Sequence, residues 1–354
     1  MISISTPGWC MLVRGRNNTM TRRSMIGSAA AASLAPAAGA QRLNMKVGLY
    51  SITYLGVWYR GDALSHEQLI ERAKRYGYDG IEIDGKRPHG NPLDMPKKRC
   101  EEIRKRARGE GVPVYAVAAN NDFSSPIPEH REAQLVYMRE LIKMTSDLGA
   151  KTLRVFFAWT GVTLEPLPKG GGRYDIARPL WKTTHEKFSA EQTWNWCRHG
   201  LEESARWARD NGVTLALQNH PPACDDYPDV LRMVKEIDSP NLKVCLDVGM
   251  MKEKNDEAAV LKATRAVRSL QVLSHFGGEY DEQPDGTVKG EAFLKPFLRG
   301  MAEIDYAGYI GYELCHPLPV VDGKTVGLDF ADKNARLAVK FMRGLLAEFR
   351  GQAT

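Results

Sequence analysis

Thr214-Leu215-Ala216-Leu217-Gln218 alternates two leucines with a small-to-polar series, and this alternation decides the fold. Successive side chains of a strand point to opposite faces. Leu215 and Leu217 therefore share one face, and Thr214, Ala216 and Gln218 share the other. The pattern recurs as Val244 and Leu246 against Cys245 and Asp247. It recurs again as Ile310, Tyr312 and Leu314 against Gly311 and Glu313, and as Ile81 and Ile83 against Gly80 and Glu82. The apolar face suits a covering helix. The small face, ending in a polar group, suits the inside of a barrel with its chemistry at the top.

Reading outward, β-rich runs occur at 46–53, 79–84, 112–119, 151–158, 213–219, 242–247, 269–275 and 308–314. Helical patterns lie between and after them, near 64–76, 93–109, 130–148, 190–211, 227–237, 256–266, 291–303 and 330–349. Eight strand–helix units in this order predict an α/β fold, a single-domain (β/α)8 TIM barrel over residues 41–354. Gly77, Gly111, Gly149 and Gly212 stand where helices should end, ready for the left-handed cap. Segment 159–189 has no clear period and reads as a flexible lid. Its triplet Gly170-Gly171-Gly172 neither follows a strand directly nor opens a helix, which argues against a phosphate cradle.

Residues 1–40 read as a removable export leader. Arg22-Arg23 precede an Ala-rich apolar run that ends in Ala38-Gly39-Ala40, a twin-arginine pattern. Residues 1–19 are readable as an over-extended start, because Met20 stands just before the signal. The expectation is a periplasmic or secreted protein, with the twin-arginine export machinery as a partner. The apolar run is too short and weak for stable membrane insertion. The leader holds four arginines and no acid; the rest carries 45 basic and 43 acidic side chains, a net +2 against +6 for the whole chain. That balance gives no reason to expect a nucleic-acid partner. A homo-oligomer is compatible with the sequence. Cys10, Cys100, Cys197, Cys224, Cys245 and Cys315 form no C-x-x-C pair and read mostly as free, buried thiols.

Four successive strands end in metal-competent groups: Gln218, Asp247, His275 and Glu313. In a barrel they fall on one arc of the C-terminal mouth, where active sites sit. Two carboxylates, an imidazole and an amide oxygen suit one divalent ion: Mn, Co, Mg or Zn.

The runs 215–220 (LALQNH), 244–249 (VCLDVG), 274–276 (SHF) and 311–313 (GYE) resemble the xylose isomerase-like TIM-barrel superfamily, the sugar phosphate isomerase/epimerase group. The resemblance spans roughly residues 45–350. It implies a small-molecule sugar substrate and a metal held by the four strand-end residues. In the keto-sugar epimerases of that group, two glutamates flank the substrate and move its proton. Here Gln218 stands for one of them, and an amide cannot act as a base. Met250 lies near where those epimerases often carry a substrate-binding histidine. One base, Glu313, suffices for isomerisation beside a metal-polarised carbonyl. It suffices equally for a lyase or hydratase reaction, β-elimination from an oxidised sugar or keto-glycoside.

Other candidates follow from position. Glu82 ends the second strand and is expected to bind substrate or move protons. Arg154 should point inward, to bind substrate or neutralise Glu82. His220 and His316 follow strands five and eight. Trp159, with Trp58 and Tyr59, could stack on a sugar face, and Glu279 is a further candidate ligand. No H-E-x-x-H, G-x-S-x-G or strand-following G-x-G-x-x-G occurs. A non-catalytic sugar-binding barrel remains an alternative, since Gln218 removes one charge from the site.

Overall fold

Leu215 and Leu217 are buried beneath helix α5 (Ala190–Asp210), which packs on their strand. Burying a leucine contributes about 1.5–3 kcal/mol, and each barrel strand repeats the arrangement. The computed structural model describes residues 44–351. The segment expected to be an export leader, residues 1–40, lies outside the described residues, and Cys10 with it.

The barrel strands are β1 (Lys46–Tyr50), β2 (Gly80–Asp84), β3 (Val114–Ala118), β4 (Thr152–Val155), β5 (Thr214–Gln218), β6 (Leu242–Cys245), β7 (Gln271–Gly277) and β8 (Tyr309–Glu313). They pair in parallel in chain order, and β8 closes on β1 through Val47↔Ile310 and Gly48↔Gly311. The helices are α1 (His66–Tyr76), α2 (Lys97–Gly109), α3 (Pro128–Asp147), α4 (Ala177–His185), α5, α6 (Tyr227–Ile237), α7 (Glu257–Val267), α8 (Leu294–Glu303) and α9 (Leu328–Gly351). Capping boxes start α1 at Ser65/Gln68 and α5 at Ser189/Gln192, each N-cap contributing about 1 kcal/mol. Gly77 (φ +86°) ends α1, as its position predicts.

The barrel floor depends on a β-bulge. Ile81 pairs with Val114 but Glu82 pairs with Ala116, so Tyr115 is an extra residue between them. Its ring turns into the barrel and stacks on Tyr309, with centroids 4.0 Å apart. Gly48 and Gly311 make room for it: an added Cβ would lie 2.3 Å and 2.6 Å from Tyr115 atoms. Ala216, Cys245 and Leu273 complete this apolar layer.

The segment expected to be a structureless lid contains α4 and a short ribbon, Thr163–Leu164 with Gly172–Arg173. A second ribbon, Val320–Val321 with Lys324–Thr325, follows β8. Thr325 joins the two by bonding Lys169 O and Gly170 O at 3.1 and 2.8 Å. The glycine triplet serves this packing: a Cβ at Gly171 would lie 2.9 Å from Thr325, and one at Gly172 2.8 Å from Trp58. Cys100, Cys197, Cys224 and Cys245 are free and buried, and Cys315 is free and half-buried. Among the described residues no helix is long and apolar enough to cross a membrane.

Candidate active site

Arg154 enters the barrel between two alanines, since Ala118 and Ala216 are its neighbours in register on β3 and β5. Larger side chains there would leave no room for an inward guanidinium. Above it a pocket opens at the C-terminal ends of the strands. Trp58, Phe156, Trp159 and Tyr174 give it an aromatic side, and Asp84, Lys86, Asn120, Arg154, Gln218 and Glu313 a polar one. This lining suits a small ligand with an apolar face and several hydroxyls.

A chain of hydrogen bonds crosses the barrel beneath the pocket. Tyr50 donates its hydroxyl to Asp84 Oδ2 at 2.5 Å and accepts from Arg154 Nη2 at 2.7 Å. Arg154 Nη1 donates to Gln218 Oε1 at 2.7 Å, and Gln218 Nε2 donates to Asp247 Oδ2 at 2.8 Å. Deeper still, Glu82 Oε2 accepts from His275 Nε2 at 2.8 Å and from the Tyr115 hydroxyl at 3.1 Å. Arg154 Nε lies 3.8 Å from Glu82 Oε1, and neither atom has a hydrogen-bond partner.

The charges follow from these contacts. Burial pulls the His275 imidazole down, but Glu82 and Cys245 more than reverse it, holding it well above its ordinary value. Burial, then the Glu313 carboxylate, push the Asp247 carboxyl up to about 6. Burial holds His220 down to about 4, so its ring is neutral near pH 7. That ring meets Phe156 and Trp159 edge-on, at 5.0 and 5.2 Å.

Of the residues singled out from sequence, Trp58, Arg154, Trp159, Gln218, His220 and Glu313 line the pocket together. Glu82 does not. The β2 strand runs two residues further, so Asp84, on the same face, occupies the mouth and Glu82 lies one layer below. Asp247 and His275 are buried at 3% and 0% exposure, outside the pocket lining. His316 also stands away from it, pairing with Glu279 at 3.2 Å on the surface. Tyr59 is structural, its hydroxyl bonded to Asp62 O at 2.6 Å. Sequence reading missed Tyr50, Asp84, Lys86 and Asn120. The alternation Gly80, Glu82, Asp84 pointed to Asp84, and nothing local pointed to the others.

The donor set does not fit a divalent ion as it stands. Gln218 keeps its oxygen on a guanidinium and its NH2 on a carboxylate. Flipping the amide would set NH2 against the guanidinium and oxygen against the carboxylate, so the partners fix its orientation. His275 Nε2 is already engaged with Glu82 Oε2 at 2.8 Å. Among the described residues no three His, Cys, Asp or Glu side chains are grouped as a metal would need. In this structure Gln218 bridges Arg154 and Asp247.

Residues 70–344 match the family model described as xylose isomerase-like TIM barrel. The structure is similar to D-psicose 3-epimerase from Clostridium cellulolyticum H10, with a TM-score of 0.64 and 19% identity over 85% of this chain and 99% of that one. It is similar to 3-keto-D-glucoside 4-epimerase from E. coli, with a TM-score of 0.58 and 19% identity over 87% and 99%. It is also similar to an L-ribulose 3-epimerase, with a TM-score of 0.62 and 19% identity over 87% and 97%. No curated protein sequence matches it. With the barrel, its mouth and this match together, the chain belongs to the xylose isomerase-like TIM barrel family.

Proposed function

We propose that this chain is an enzyme of the sugar isomerase/epimerase type, with Glu313 taking a proton from the carbon beside a sugar carbonyl. One observation carries the reading. Two carboxylates line the pocket, and they differ in what holds them. Asp84 takes Asn120 Nδ2 and Lys86 N on Oδ1 and the Tyr50 hydroxyl on Oδ2. Glu313 meets the Cys315 thiol, a weak donor, and otherwise opens to the pocket. A carboxylate without strong donors is the better base. The similar epimerases of psicose, ribulose and a 3-keto-glucoside support a keto-sugar as the substrate class.

A second reading, β-elimination from an oxidised sugar or keto-glycoside, draws on Gln218. Its amide stands where a second base would be needed for two-sided epimerisation, so one-base reactions are favoured. The test is NMR in D2O with keto-sugars and 3-keto-glucosides. Deuterium entering beside the carbonyl, lost in Glu313→Gln, supports isomerase chemistry. A new alkene signal selects the lyase. Binding with neither signal leaves a sugar-binding barrel and overturns the enzyme. Export behind the twin-arginine leader remains part of this proposal.

A further inference from the structure

We propose that the fixed guanidinium of Arg154 supplies the positive charge of this site in place of a divalent ion, and that Gln218 makes it so. The catalytic half rests on the sugar-isomerase reading above; the charge half does not. Arg154 is 4% exposed, and arginine does not lose its proton in proteins. It is held from three sides, by Tyr50, by Gln218 and by the Glu82 carboxylate. It lines the same pocket as Glu313. A cation bound at Gln218 Oε1 would sit beside a guanidinium nitrogen only 2.7 Å from that oxygen. The two positive charges would repel at short range with little water between them.

Gln218 decides the outcome because it is neutral and two-sided. Its oxygen serves Arg154 and its NH2 serves Asp247, so both charged neighbours are satisfied without an ion. A glutamate at 218 would keep the bond to Arg154 but set a carboxylate against Asp247, with Glu313 close by. Three carboxylates then need a cation to hold them together.

The guanidinium has five N–H donors, and two bonds to Tyr50 and Gln218 leave others for a substrate oxygen. The proton transfer balances without a metal. Glu313 takes the proton, the C–H electron pair forms a C=C bond, and the carbonyl π pair moves onto oxygen. That oxygen carries the negative charge, facing Arg154. Returned from Glu313 to the carbon it left, the proton lets the oxygen give up its charge as the carbonyl re-forms there. Returned to the former carbonyl carbon, it requires the neighbouring hydroxyl to pass its proton to the charged oxygen, and the carbonyl then forms at that neighbouring oxygen.

The test begins without substrate. The wild-type protein and Gln218→Glu, both dialysed against EDTA, are titrated with Mn²⁺ and Co²⁺ by calorimetry and by thermal shift. Tightening of Mn²⁺ binding by about a hundredfold in Gln218→Glu, with wild type failing to saturate, supports the proposal. Wild type that saturates with one Mn²⁺ or Co²⁺ per chain, or a Gln218→Glu variant that gains nothing, overturns it. The second arm follows deuterium exchange on D-fructose and a 3-keto-glucoside. Exchange that persists in EDTA, and that Arg154→Lys loses in kcat while still folded by circular dichroism, supports the catalytic half. Exchange that stops in EDTA and returns with Mn²⁺ overturns it. If wild type refuses the ion and exchanges neither probe, the charge assignment stands and the sugar reading falls.

Discussion

His275 and Glu82, 193 positions apart in the chain, share a 2.8 Å hydrogen bond with both side chains at 0% exposure. The pair ties β7 to β2 across the barrel interior. Removing one partner leaves the other charge buried and alone, which typically costs about 3–5 kcal/mol. Glu82→Ala should therefore lose about 3 kcal/mol or more of stability. Urea unfolding checks this, and a loss under 1 kcal/mol would show that His275 finds another partner or gives up its charge.

The floor of the barrel is filled to its limit. Gly48→Ala places a methyl 2.3 Å from Tyr115, which is closer than carbon atoms approach. Overpacking of this kind costs about 1–3 kcal/mol. The expected outcome is a lowered Tm for Gly48→Ala, part of which Tyr115→Ala restores in the double variant. Two losses that simply add would mean that the methyl and the ring do not meet.

Acid should weaken the protein through His66. Its Nε2 lies 2.7 Å from His89 O, and burial, then neighbouring His89, hold the ring down to about 4. The unfolded chain takes up this proton near pH 6.5, while the folded one resists until about pH 4. Stability from this group is thus fully present above pH 6.5 and falls as the pH drops toward 4, by about 3 kcal/mol at most. Measuring Tm between pH 7.5 and 4 for wild type and His66→Gln tests this. Parallel curves for the two proteins would acquit His66.

Trp159 stacks on Phe156 at 5.3 Å and 15°, forming part of the pocket's aromatic side. A ring that holds a sugar face contributes to binding in ground and transition states alike. For whichever keto-sugar is turned over, Trp159→Ala should raise KM about tenfold and leave kcat within about a factor of three. A collapse of kcat at unchanged KM would assign Trp159 to the chemistry.

The leader gives a cellular test. Replacing Arg22 and Arg23 by lysine should leave an unprocessed precursor inside the cell. Immunoblotting of periplasmic and cytoplasmic fractions decides it, and normal periplasmic recovery of the double variant argues against twin-arginine export.

Period-two alternation marked β2, β5, β6 and β8, because a barrel strand meets helices on one side and its own interior on the other, and β-rich runs marked the other barrel strands. Position at a strand's end then picked out Gln218, His220 and Glu313, and the inward register picked out Arg154. The same rule, carried two residues past Glu82, leads to Asp84. Tyr115 escaped because the bulge shifts the alternation by one residue between Val114 and Ala116, which a strict period-two reading does not anticipate. Helix α4 escaped because Pro179 lies in its first turn and its segment lacks a long apolar stripe. The bonds joining Tyr50, Arg154, Gln218 and Asp247 link β1, β4, β5 and the turn after β6, and no local spacing encodes contacts of that range.

The stacked tyrosines below the site have a consequence for isotopes. Tyr115 and Tyr309 stack across the lower end of the barrel, while the pocket that Glu313 lines lies at the upper end. In the proposed reaction, a substrate filling that opening would hold the abstracted hydrogen in with it. The ratio of retained to washed-out label then measures how long the vessel stays corked in each turnover.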